Sequence, residues 1–106
     1  MKIIDLDLLV NEPITFKIGE EEFTVPSTPS TQLVLQVMDI ENKVKKTKDN
    51  KEQIYLLAEM VATLLSQGER KVSIDEVIQK FSVIQMKKVI EAYQQKMMEI
   101  NTNPNS

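Results

Sequence analysis

The sequence predicts an α+β fold, an N-terminal β-hairpin followed by a four-helix, mainly α domain. Two observations carry this. Before Pro26 the apolar residues alternate, as Ile14, Phe16 and Ile18 and then Phe23 and Val25, which is the period of a half-buried strand. After Pro26 they recur every three or four residues almost to the C-terminus, the period of a helix with one buried face. At 106 residues the chain has the length of one domain, residues 1–106, with no internal repeat.

Residues 1–26 form the strand and hairpin region. Ile3–Val10 alternates in part, with Asp5 and Asp7 set between Ile4, Leu6 and Leu8. It reads as an extra edge strand or an extended arm, broken by Asn11-Glu12-Pro13. Ile14–Ile18 and Glu22–Val25 follow as the hairpin strands. Their turn falls around Gly19-Glu20-Glu21, where Gly19 can supply a positive φ. Glu20, Glu21 and Glu22 are expected in solvent, because a buried unpaired carboxylate is costly.

Residues 28–100 form the helical region. Thr28 is a candidate N-cap for the first helix, with Pro29 at its first position, where no N–H is needed. Leu33, Val34, Val37, Met38, Glu41 and Val44 form its stripe. The Lys-rich stretch Lys43–Lys51 reads as the helix end and a loop. Asn50 with Gln53 is a candidate capping box for the second helix. Ile54, Leu57, Ala58, Val61, Leu64 and Leu65 form the stripe there. Leu56 and Met60 widen it, as expected of a central, well-buried helix. Gly68 is placed as its C′ residue.

Ser73 and Glu76 form an S-x-x-E box at the third helix, and Val72 can staple onto Val77. This helix ends near Phe81. Ser82 with Gln85 repeats the cap and opens a fourth helix through Ile100, with Met86, Val89, Ile90, Tyr93, Met97 and Ile100 as its stripe. Residues 101–106 read as a disordered polar tail.

Composition removes several functions. The chain holds no Cys and no His. Disulfides, thiol nucleophiles, the usual zinc ligands and the commonest general base are absent with them. No Walker-type phosphate loop occurs. The chain reads as a non-enzyme without cofactor or metal. Asp5 and Asp7 lie two apart on one face of a strand, but no further ligands converge on them in the sequence. No stretch is apolar enough to span a membrane, and the acids Asp5 and Asp7 interrupt any signal-like run. A cytoplasmic location is expected.

Charge is uneven. Net charge is −3, yet residues 1–42 hold eight acids against two bases and the remainder eight against eleven. Such a balance can orient a partner or a neighbouring copy. Lys43, Lys45, Lys46, Lys48 and Lys51 lack the arginine or aromatic readers of a nucleic-acid surface, Arg70 being the only Arg. The alternative to a protein-binding role is a small nucleic-acid-binding regulator using helices 73–81 and 83–100 as a helix-turn-helix. Against it, Val83, Ile84 and Met86 read as core. The better candidate surface is the end of the last helix. At 1.5 Å per residue this helix is about 27 Å long, enough to carry its final turn past a small body. Tyr93, Met97, Met98 and Ile100 are the candidate partner-binding residues, methionine being adaptable at interfaces.

The segments "EPITFKIGEEEFTVPS" (Glu12–Ser27) and "LLSQGERKVSIDEVIQKFS" (Leu64–Ser82), in the order hairpin, Pro-bounded entry and four helices, resemble the small tail assembly chaperones of long-tailed bacteriophages and prophages. The similarity of pattern covers residues 12–100. It implies a non-enzymatic role in the bacterial host cytoplasm. The implied partners are the tape measure protein, a long apolar helical polypeptide, and the tail-tube protein that polymerises around it. A homo-oligomer is compatible with this role; nucleic acid and membrane are not implied.

Overall fold

The computed structural model describes residues 2–4, 13–26, 28–68 and 70–102, with side chains described through residue 95 of the last helix. The order is β1 (Ile14–Ile18), β2 (Glu21–Val25), α1 (Thr31–Lys46), α2 (Asn50–Leu65), α3 (Ile74–Lys80) and α4 (Val83–Thr102). This is the expected α+β arrangement of a hairpin followed by four helices. The reading of Ile3–Val10 as strand or arm lies mostly outside the described residues; residues 2–4 are not in a strand.

The strands pair antiparallel, with Ile14 opposite Val25, Phe16 opposite Phe23 and Ile18 opposite Glu21. The loop is therefore Gly19-Glu20, one residue tighter than the sequence reading. Gly19 has φ +59°, the glycine-first arrangement that a two-residue type II′ turn requires. One face carries Ile14, Phe16, Ile18, Phe23 and Val25 towards the helices. The other carries Thr15 and Thr24, joined by a hydroxyl–hydroxyl hydrogen bond of 3.0 Å.

Helix α2 is the centre of the fold and packs against α1, α3, α4 and β2. Val61, Leu64 and Leu65 are among the most deeply buried side chains, and Leu56 and Met60 are buried with them. The stripe is rotated from the expected one. Ile54 is 42% exposed and Leu57 is half-buried, because α1, α3 and α4 together enclose a face centred on Val61 and Leu64–Leu65. Around it gather Leu33, Val37 and Ile40 of α1, Phe23 and Val25 of β2, Val72, Val77 and Phe81, and Met86 and Val89 of α4. Phe23 and Phe81 meet with ring centroids 6.1 Å apart at a tilt of 49°, an ordinary favourable aromatic geometry.

Helix ends follow capping chemistry. Ser30, not Thr28, caps α1, its Oγ accepting the Leu33 N–H at 3.1 Å; Pro29 thus precedes the cap. Asp49, not Asn50, caps α2 by accepting the Lys51 N–H at 3.1 Å. Gln53 turns back to donate to the Thr47 carbonyl at 2.7 Å. Ser73 accepts the Glu76 N–H at 3.1 Å, opening α3. At α4 the box is reciprocal: Gln85 N–H donates to Ser82 Oγ at 3.1 Å, and Ser82 N–H donates to Gln85 Oε1 at 2.8 Å. Helix α4 continues two residues past Ile100 to Thr102, ending before the residue that precedes Pro104, where a helix is disfavoured.

Gly68 is not a C′ cap. Helix α2 closes on Ser66. A Cβ on Gly68 would stand 2.5 Å from the Thr24 carbonyl oxygen. Its missing side chain lets the α2–α3 connection lie against β2.

Candidate protein-binding surface

The turn end of the hairpin is tied to the helices by ion pairs. Near the turn, Glu21 leaves the purely solvated role expected of it. Its carboxylate accepts from Arg70 at 2.7 Å and Lys80 at 2.6 Å. Glu76 joins both cations, at 2.9 Å from Arg70 and 3.1 Å from Lys80. The Arg70 guanidinium also lies 4.8 Å from the Phe23 ring centroid, a cation–π distance. Hydrogen bonds from Arg70 first and Lys80 second hold the Glu76 carboxyl down to about 2. Both cations are raised in turn, Arg70 chiefly by Glu76 and Lys80 chiefly by Glu21. The cluster is exposed and saturated with its own partners, so it ties β2 to α3 and does not offer a ligand site.

The two edges of the sheet differ. The β2 edge is covered where Gly68 meets the Thr24 backbone. The β1 edge has no strand beside it among the described residues. There a groove of about 190 Å³ runs between β1 and the start of α4. Phe16, Ile18, Phe81 and Ile84 give it apolar walls, and Lys17 and Lys88 stand at it without an acidic residue. Phe16 and Ile18 are half-buried, and Ile84 is 72% exposed.

Further apolar side chains face outward on the helices. Leu35 and Met38, three apart on α1, are 57% and 53% exposed, and Ile74 and Ile78, four apart on α3, are 38% and 39% exposed. Residues at these spacings share one helix face. A larger hollow of about 550 Å³ between α1, α2 and the α3 start is polar, lined by Ser30, Gln36, Glu59, Thr63 and Lys71 among others.

The candidate residues at the end of α4 fare differently from one another. Tyr93 is 1% exposed and belongs to the core, which corrects its placement on an interaction surface. It stands seven residues after Met86 and four after Val89, on the face that α2 covers. Its hydroxyl accepts from Gln67 Nε2 at 3.1 Å and lies 3.3 Å from Gln67 Oε1. Met97, Met98 and Ile100 lie on the α4 backbone, but their side chains fall outside the described residues. Val83 and Ile84, expected in the core, are exposed; of that trio only Met86 is buried. Sequence reasoning missed the groove between β1 and α4. Helical phase could have found Ile84: at 100° per residue it lies about 160° from Met86 around the helix.

No three His, Cys, Asp or Glu side chains group as a metal site among the described residues. No helix of the described residues is long and apolar enough to cross a membrane. The chain matches no family model, no curated protein and no solved structure.

Proposed function

We propose that this protein is a non-enzymatic assembly chaperone of a long-tailed phage or prophage, acting in the host cytoplasm on the tape measure protein and assisting the tail-tube protein. The observation that supports the reading most directly is a pair of exposed apolar helix ridges outside a complete core: Leu35 with Met38, and Ile74 with Ile78. Apolar pairs at helical spacing fit the ridges of another amphipathic helix. A tape measure protein is a long polypeptide of that kind. Side chains that stay 38–57% exposed give contacts of modest area, as suits a factor that must later release its client. The hairpin-then-four-helix order agrees with the family that the sequence resembles.

The test is co-expression with a tape measure protein of a long-tailed phage. The chaperone should raise the client's soluble fraction and co-purify with it. Leu35→Gln/Met38→Gln and Ile74→Gln/Ile78→Gln variants, being surface changes, should keep the wild-type melting temperature and lose client. A client that stays insoluble with wild-type protein, or that binds both double variants as well as wild type, overturns the reading.

A further inference from the structure

Helices α1 and α3 each pack on α2, and the larger hollow lies between them. It holds about 550 Å³. A smaller hollow of about 180 Å³ continues it along α1, past Asp39 and Lys43. The two share Gln36, Glu59 and Thr63, so they form one groove. Its floor is Glu59, Ala62, Thr63 and Ser66 of α2, which share one helix face at the i, i+3, i+4, i+7 spacing. Gln32 and Gln36 of α1 line one wall, and Ile74 at the start of α3 lines the other. Leu35 lies about 60° round α1 from Gln32, on the outer side of that wall, and Ile78 stands one turn beyond Ile74. Exposed apolar side chains of α1 and α3 therefore flank the same groove.

The floor is polar in composition, yet its hydroxyls are already engaged. Thr63 Oγ donates to the Glu59 carbonyl at 2.8 Å. Ser66 Oγ donates to the Val72 carbonyl at 3.1 Å and accepts the Val72 N–H at 2.9 Å. A floor bonded in this way can be covered by apolar side chains without stranding a donor. The charged side chains of the hollow are the reverse. Neither Glu59 nor Lys71 has an ion pair or side-chain hydrogen bond among the described residues. Asp39 and Lys43 stand near Glu59 in the smaller hollow, which leaves that end with two acids and one base.

The distance between the two unpaired charges selects the shape of the occupant. The Ser66–Val72 bonds bring Lys71 level with Ser66. Ser66 is seven residues after Glu59, about 10.5 Å along α2. A helix laid along α2 covers that length in seven residues, and its positions i and i+7 fall on one face. An extended chain covers it in about three residues, and an odd step turns the second side chain to the opposite face. Both charges can therefore be met at once by a helix and not by a strand. The small side chains of Ala62 and Thr63 lie under the turns between, where a helix axis must approach to about 8–10 Å.

We infer that the groove over α2 seats a single amphipathic helix of the client, aligned with α2. Its apolar face covers Ala62 and Thr63 and meets Leu35, Ile74 and Ile78. It carries a basic residue against Glu59 and an acidic residue seven positions away against Lys71. The client's identity rests on the chaperone reading; the shape and charge pattern of the helix rest on the groove. Opposite charges at a fixed separation set the register of the helix as well as adding affinity.

The test uses stapled helical peptides with leucines on one face and two variable positions seven apart on that face. The peptide with Lys and Glu there should bind wild type about fivefold tighter by fluorescence anisotropy than the one with two Gln, as two partly exposed ion pairs allow. Glu59→Lys should shift the preference to the peptide with two Glu, and Lys71→Glu to the peptide with two Lys. Both are surface changes whose melting temperature is checked alongside. Equal affinity of wild type for all four peptides, no binding of any of them, or preferences unmoved by either variant overturns the inference. Co-expression with the tape measure protein separates it from the chaperone reading. If wild type keeps that client soluble and Glu59→Lys/Lys71→Glu does so equally well, the groove is not its seat, and this inference falls while the chaperone reading stands. If the peptides switch as expected and the client stays insoluble with wild type, the groove stands and the chaperone reading falls.

Discussion

Replacing Tyr93 separates a core side chain from an interaction side chain more sharply than any other change. Tyr93 is 1% exposed and packs with Met86 and Val89 against α2. Truncating a buried aromatic to Ala costs about 3–5 kcal/mol. A domain of this size is stable by about 5–15 kcal/mol in all, so Tyr93→Ala should remove about a fifth of the total or more. Tyr93→Phe keeps the ring and deletes only the hydroxyl bonded to Gln67 at 3.1 Å. Gln67 retains its bond to the Leu64 carbonyl at 3.0 Å and is half-exposed, so water can replace the lost partner. The cost should fall at the low end of about 0.5–1.5 kcal/mol, a loss of about 4–8 °C per kcal/mol in melting temperature. Burial, the larger influence, pushes the phenol above its ordinary 10.0, with Gln67 pulling the other way. The folded state prefers the neutral phenol. That contribution is whole below about pH 10 and is lost as pH rises through the folded value. Urea melts of both variants, repeated on the alkaline side, check this. Tyr93→Ala melting within a degree or two of wild type would refute the core assignment and return Tyr93 to the surface. An alkaline loss equal in wild type and Tyr93→Phe would refute the pKa argument.

Three further outcomes are expected. Gly68→Ala places a Cβ 2.5 Å from the Thr24 carbonyl, a backbone atom that cannot turn aside, and should destabilise by about 1–3 kcal/mol as overpacking does; a melt unchanged from wild type would show that the α2–α3 connection can move off β2. Leu64→Ala, at 2% exposure, should cost about 2–5 kcal/mol, whereas Ile54→Ala, at 42% exposure, should stay within about 0.5–1 kcal/mol; equal costs would contradict the rotated stripe of α2. The Glu76 carboxyl is lowered from 4.5 to about 2, so its contribution is present above about pH 4.5 and is lost as pH falls towards 2; Glu76→Gln should flatten the melting temperature against pH across that window, and an unchanged acid profile would show that the cluster adds nothing to stability.

The parts of the fold that were legible in the sequence are those fixed by short-range chemistry. The alternation Ile14, Phe16, Ile18 and the capping pairs Ser73–Glu76 and Ser82–Gln85 each lie within a few residues, and each appears in the structure. Where several eligible residues stand in a row, tertiary phase chooses among them. Ser30 caps α1 in place of Thr28 because Leu33, Val37 and Ile40 must face α2. Asp49 caps α2 in place of Asn50 for the same kind of reason. Gly68 was legible as a special position but not for its reason, since the carbonyl it meets belongs to a strand more than forty residues earlier. The groove at β1 was the least legible feature, because Phe16, Phe81 and Ile84 become neighbours only when the hairpin folds onto α4.

The same geometry explains why the unexpected surface lies where it does. A two-stranded sheet has two edges and can lay only one of them against the body of a small helical domain. Here β2 takes that place, since Gly68 admits the α2–α3 connection against Thr24 and the Arg70–Glu21 and Lys80–Glu21 pairs hold the turn. Strand β1 is left outermost, with side chains selected for a core that reaches them only halfway. Phe16 and Ile18 are therefore half-buried by position. Burying the β1 side instead would leave Phe23 and Val25, 5% and 1% exposed, uncovered. What remains open at β1 is thus a consequence of which strand the helices hold, and it leaves an apolar edge flanked by Lys17 and Lys88 facing outward.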